Sequence, residues 1–201
     1  HRTSPTNIGL CLLCALGADD LRLAPEEECF ALIGHILDTL ETLPKWHGHV
    51  YNWTDTRTLE TLHPGYISTV DSGNLAACLA ALTQGLLEKG QNALAQRAEA
   101  LWRNMDFRPL YDEKRHLFHI GWDAGSGKLT EGWYDLLSSE ARLTGFVAIA
   151  KGDVPRAHWR HLSRAMLALG AEAHINNVAQ LLFADLVLNN IVIGFNLNGF
   201  R

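Results

Sequence analysis

The sequence predicts an all-α fold, an α/α toroid of helical hairpins of which the three hairpins of this 201-residue chain form only part. Two observations carry that expectation. Segments apolar on nearly every side alternate along the chain with segments apolar on one stripe only, and the stretches joining successive hairpins, 44–70 and 107–133, are long and rich in aromatics, Gly, Thr and His. All-apolar helices must be buried on every side and striped ones on a single side, so the packing that satisfies both is an inner layer of buried helices inside a ring of amphipathic ones.

The first helix follows Ser4 or Thr3 as cap and Pro5 in its first turn, and runs apolar to about Gly17. Helix 2 opens at Pro25 with Glu26, Glu27 and Glu28 at its positive end and sets Phe30, Ile33, Leu37 and Leu40 on one stripe. Helix 3, from about Ser72 to Lys89, has no polar face, whereas helix 4, from about Gln91 to Met105, is striped by Leu94, Ala98, Leu101, Trp102 and Met105. Helix 5 is read over "YDLLSSEARLTGFVAIAKG", again apolar on most sides, and helix 6 over "PRAHWRHLSRAMLALG". The connecting stretches are too long for plain turns and their aromatic content argues for order; "KRHLFHIGWDAGSGKL" reads as a β-hairpin across Gly125 to Gly127. Residues 1–168 are assigned to the α/α domain and 169–201 to a C-terminal helical segment. The chain starts at His1 inside a polar motif, which reads as an excised part of a longer protein.

Composition sets bounds on function. With 47% hydrophobic residues, 19% charged residues and a net charge of −5, the chain can bury a sizeable core but lacks the basic surface that a nucleic-acid backbone demands. No run reaches the roughly 18 apolar residues of a membrane span. Cys11, Cys14, Cys29 and Cys78 lie in apolar helical stretches and read as small core side chains, which fits a reducing compartment. His47 and His49, or His116 and His119, lack the Cys partners or HExxH frame of a zinc site; no metal and no cofactor is expected.

Polar clusters stand at the N-terminal ends of the three inner helices: Thr3, Ser4, Thr6 and Asn7; Asp71, Ser72 and Asn74; and Tyr134, Asp135, Ser138, Ser139 and Glu140. Each cluster alone is explained by capping. Three at one mouth of a toroid, beside "HGHVYNWTDTR" and "FHIGWD", read as the wall of a site. Tyr51, Trp53, Trp122, Trp133 and Tyr134 offer flat faces and polar edges suited to sugar rings, with core packing as the alternative for some of them. Glu140, in an otherwise apolar helix, is the kind of carboxyl whose burial favours the protonated form a general acid needs, and Asp71 and Asp55 are its partners. Glycoside chemistry places two carboxylates on either side of the bond, and the spacing that separates retention from inversion is not legible in a sequence.

Three stretches, "RTSPTNIGL", "GHVYNWTDTRTLETLHPGYISTVDSGNLAACLAAL" and "YDLLSSEARLTGFVAIAKGDVPRAHW", together resemble the glucoamylase-like domain of cyclic β-1,2-glucan synthases, a domain similar to the β-1,2-glucanases. The resemblance implies an (α/α)6 barrel acting on β-1,2-glucan, by transglycosylation or by hydrolysis, within a larger membrane-bound synthase whose soluble domain lies at the cytoplasmic face. Carried onto this chain, it implies Glu140, Asp71 and Asp55 as the catalytic carboxylates, with acid and nucleophile unassigned. Thr3, Ser4, Asn7, Tyr51, Trp53, Arg57, Asn74, Tyr134 and Arg142 then contact sugars or orient the carboxylates. After about residue 168 the chain departs from the family's pattern. A noncatalytic glucan-binding module, or an inactive fragment that self-associates through exposed inner helices, are the alternatives.

Overall fold

Ser4 caps the first helix, its hydroxyl accepting the Asn7 N–H at 3.3 Å, and Pro5 occupies the turn where its missing N–H costs nothing. In the computed structural model of the chain, which describes residues 1–163, 166–169 and 172–175, β1 (Arg2–Thr3) leads into this helix, α1 (Pro5–Asp20), and then α2 (Glu26–Thr42). Four strands follow: β2 (Lys45–Trp46), β3 (His49–Val50), β4 (Asn52–Asp55) and β5 (Thr61–Ser68). Helices α3 (Thr69–Glu88) and α4 (Asn92–Arg103) come next. After a 3-10 turn at Arg108–Leu110 the chain forms β6 (Tyr111–Asp112), β7 (Leu117–His119), β8 (Gly121–Asp123), β9 (Lys128–Leu129) and β10 (Trp133–Tyr134). The last described elements are α5 (Arg142–Lys151), α6 (Ala157–His161), β11 (Met166–Leu169) and β12 (Glu172–Ile175).

The helices pack in the two expected layers. Helix α3, buried on all sides from Thr69 to Leu86, lies between α1 and α5, while α2 and α4 cover the outside and contact each other. Small residues set the inner spacing: a Cβ added at Gly9 of α1 would stand 2.9 Å from the Cys78 Cβ, and one at Gly73 would stand 2.7 Å from the Thr144 Cα of α5. The stripe Phe30, Ile33, Leu37 and Leu40 of α2 is buried as its spacing predicts.

Five expectations are corrected. The fold is not all-α with one hairpin, because the two long connections fold into sheets: a five-stranded one ordered β1-β4-β5-β8-β9 and a three-stranded one ordered β10-β7-β6, beside the pairs β2-β3 and β11-β12. The expected hairpin exists as β8–β9, but Leu117–His119 belongs to the other sheet. Helix α5 starts at Arg142, eight residues later than read, since Tyr134 pairs with Phe118 in a sheet and Ser139 draws the chain into a turn, accepting the Ala141 N–H on its hydroxyl and the Arg142 N–H on its carbonyl. Helix α6 is five residues long because Leu162 is extended and Ser163 bridges to Leu136; Met166–Leu169 and Glu172–Ile175, read as helical, are strands, and the remainder of 169–201 lies outside the described residues. Finally, Cys29 and Cys78 are buried but Cys11 and Cys14 are exposed.

Candidate functional site

Because α1 and α3 run side by side, their first turns meet, and the meeting point is polar. Ser68 caps α3 by accepting the Asp71 N–H at 3.1 Å, which fixes the backbone under Asp71. The Thr6 hydroxyl donates to Asp71 Oδ1 at 2.6 Å, and the Asn52 amide donates to Oδ2 at 3.1 Å. Behind Thr6, Asn74 donates its amide to the Thr6 oxygen at 3.1 Å, so the Thr6 proton is left to point at Asp71.

Asp71 opens onto a cleft of about 660 Å³ whose wall includes Arg2, Asn52, Trp53, His63 and Tyr66. Asn52 is buried, while Trp53, joined to it by a cis peptide, keeps 37% of its surface exposed with the Arg2 guanidinium 4.5 Å from its ring centre. Two phenols share the field of this carboxylate. Burial raises the pKa of Tyr66 above the ordinary tyrosine value against an opposing hydrogen bond with Thr130, and the charges of Asp123 and Asp71 add to the rise. Tyr134 is pushed up to about 12, first by burial and then by the charges of Glu140, Tyr66 and Asp71. Both phenols therefore stay protonated across the neutral range and are available as donors. The arrangement combines a fixed carboxylate, a partly exposed indole face and protonated phenols, the set a polyhydroxylated ring needs for stacking and hydrogen bonding.

The other expected residues fall in several places. Glu140 is exposed in the turn before α5, so the apolar helical burial expected of it is not found, although its charge reaches Tyr134. Arg142 is buried in the first turn of α5. Asp55 closes a turn at the end of β4, accepting the Arg57 and Thr58 N–H groups at 2.7 and 3.2 Å, contacts that lower its pKa, and it is not in the cleft wall. Arg57 is exposed, 3.9 Å from that carboxylate. Thr3 and Asn7 line a different groove of about 340 Å³ between α1, α2 and β4; Ser4 is a buried cap; Asn74 stands behind Thr6. Tyr51 packs against the core beside Trp122, and Trp122 itself stacks on Trp46 with ring centres 4.6 Å apart. Trp133 lies under the Arg115 guanidinium and donates to Asp112 at 3.1 Å.

Of the histidines weighed as metal ligands, His49, His116 and His119 contact neighbouring protein groups. His49 is fully buried with Nε2 2.8 Å from the Asp106 carbonyl, and burial drives its pKa down to about 4. His116 faces His161 at 4.5 Å, and His119 Nδ1 lies 3.0 Å from the Thr130 carbonyl. Among the described residues no group of three His, Cys, Asp or Glu side chains is arranged to hold a metal ion. Asn52, Tyr66, His63 and Arg2 are among the cleft residues that sequence reasoning left out. Asn52 and Tyr66 stand inside the quoted stretches that flag Trp53 and Asp71, and what places them at the cleft is the pairing of β4 with β5, Asn52 opposite Tyr66.

The fold is similar to that of solved proteins described as glucoamylases and β-1,2-glucanases. A candidate glucoamylase from Bacteroides caccae superposes with a TM-score of 0.71 at 17% identity, over 88% of this chain and 46% of its own. An endo-β-1,2-glucanase from Chitinophaga pinensis, solved with sophorotriose and glucose, gives the same TM-score at 14% identity, over 88% of this chain and 45% of its own. Among curated proteins the chain is similar to the cyclic β-(1,2)-glucan synthase NdvB of Rhizobium meliloti strain 1021, 27% identical over 298 residues that take in 85% of this chain and 10% of the synthase. The resemblance read from the three sequence stretches thus holds. The chain spans about a tenth of that synthase and less than half of the matched structures. No protein-family model matches it. No helix among the described residues is long and apolar enough to cross a membrane.

Proposed function

We propose that this chain is a carbohydrate-active domain that processes β-1,2-glucan, by transglycosylation, including ring closure, or by hydrolysis, and that it forms about half of an (α/α)6 toroid within a larger cyclic β-1,2-glucan synthase-like protein. The observation that carries the reading is the cleft beside Asp71, where a carboxylate held at both oxygens faces an open indole and a protonated phenol. In this reading Asp71 takes a proton from, or stabilises charge on, the reacting sugar or water, Trp53 holds a ring face, and Tyr66 and Tyr134 donate to sugar hydroxyls. Glu140, next to Tyr134 in the field of the site, is the partner carboxyl that supplies a proton to the leaving oxygen. The rest of the synthase supplies the other domains, and the domain lies at the cytoplasmic face of the membrane that anchors them.

One observation favours a second reading, a glucan-binding module without turnover: of the three expected carboxylates only Asp71 lines the cleft, while Glu140 is exposed and Asp55 is committed to a turn. Incubating the chain with linear β-1,2-glucan and reading products by mass spectrometry separates the two. Shortened, redistributed or cyclic products that fall by about 100-fold or more in Asp71→Asn and in Glu140→Gln, with glucan affinity retained in both, are the expected result. Binding without any product change leaves the binding module.

A further inference from the structure

Asn52 is 5% exposed, and its Oδ1 is buried with no hydrogen-bond partner although its amide donates to Asp71. Reversing the amide would aim an oxygen at the carboxylate, so the orientation is dictated by Asp71 and the orphaned acceptor is its consequence. A buried amide with one end unsatisfied costs stability, and a near-isosteric apolar side chain would avoid that cost. Thr6 has the same one-way character, since Asn74 occupies its oxygen as a donor and commits its proton to Asp71.

We infer that Asn52 and Thr6, with Asn74 behind Thr6, are positioning residues that lock the Asp71 carboxylate in one orientation so that its remaining lone pairs face the cleft, and that Asn52 is kept for this task at the expense of stability. The inference rests on the glucan reading of the cleft for its functional readout and on the hydrogen-bond directions for its structural one.

Three variants of the full chain test it: Thr6→Val, Thr6→Ser and Asn52→Leu. Thr6→Val is expected to lower kcat on linear β-1,2-glucan about tenfold or more while KM moves by less than about threefold, and Thr6→Ser to restore most of it, because a hydroxyl and not a shape is what is lost. Asn52→Leu is expected to lower kcat similarly while its melting temperature stays level or rises. A second readout needs no turnover: the Asp71 13Cγ resonance, assigned through Asp71→Asn, moves in Thr6→Val and Asn52→Leu and returns in Thr6→Ser. Unchanged resonance in the two apolar variants overturns the positioning role, and a melting temperature that drops in Asn52→Leu overturns the claim that Asn52 serves function over stability. If the parent chain neither binds nor turns over the glucan, the glucan reading fails by itself and the resonance still decides the positioning.

Discussion

Trp53 and Trp122 show how one residue type divides between recognition and packing. Trp53 keeps an open face at the cleft, whereas Trp122 is half-buried on β8 and stacked against Trp46. An aromatic face under a sugar contributes on the order of 1–2 kcal/mol, so Trp53→Ala is expected to weaken β-1,2-glucan binding about tenfold in calorimetry and leave the melting temperature nearly unchanged. Trp122→Ala removes a stacked ring that helps seat β2 on the five-stranded sheet and is expected to destabilise the chain by about 2–4 kcal/mol in chemical denaturation. A reversed pattern, with Trp53 carrying stability and Trp122 carrying affinity, would assign the cleft wrongly. Composition alone could not divide these rings, because the division is made by which strand pairs with which. The same holds for carboxylates: Asp71 stands at a helix start and Asp55 in a Thr-flanked aromatic loop, and only the meeting of α1 with α3 sends one to the cleft while a local turn claims the other.

At the scale of elements, the close approach of α3 to α5 depends on Gly73. Its Cβ position falls against the Thr144 hydroxyl and within 2.7 Å of the Thr144 Cα, so full relief would require the two inner helices to move apart. Gly73→Ala is therefore expected to cost about 1–3 kcal/mol despite the better helix propensity of alanine, measured as a lowered denaturation midpoint, and Thr144→Ala should not rescue it because the Thr144 Cα is part of the obstacle. An alanine variant as stable as the parent would mean that the inner row is looser than described. The first four helices were readable because each repeats its apolar pattern over three turns or more and carries recognisable ends, such as Ser4-Pro5 and Pro25 with its glutamates. The sheets were not, since most of their strands are two to four residues long, too short for an alternation to emerge, and the eight-residue β5 contains Pro64 and Gly65. The start of α5 differs from the expectation because apolar residues before Ser138 continue the helical pattern on paper, while the Ser139 turn and the pairing of Tyr134 break it in space.

Across the whole molecule, one buried network joins the sheet side to the helical layer. Lys151 at the end of α5 donates to the Met105 carbonyl at 2.5 Å and to Asp153 at 2.7 Å, Asp153 accepts the Phe107 N–H at 3.1 Å, and His49 of β3 meets the Asp106 carbonyl between them. His49 is held neutral there chiefly by burial, with the nearby Lys151 charge adding to the fall of its pKa to about 4, and His158, packed against Tyr111 and Phe118, is lowered by burial as well. A histidine whose folded pKa lies below its unfolded value of about 6.5 takes up its proton more readily in the unfolded chain. Its contribution is complete above pH 6.5 and is lost as the pH falls from 6.5 towards 4, by up to about 3 kcal/mol for His49. The carboxylates lowered by local hydrogen bonds, Asp55, Asp106, Asp112 and Asp123, act in a different window, losing their contribution only below about pH 4. Urea denaturation at half-unit steps from pH 7 to 4 is thus expected to show stability falling across a range in which these aspartates stay charged. His49→Gln, which keeps a donor for the Asp106 carbonyl and cannot be protonated, should flatten most of that slope, leaving the part owed to His158; an undiminished slope would place the acid sensitivity elsewhere.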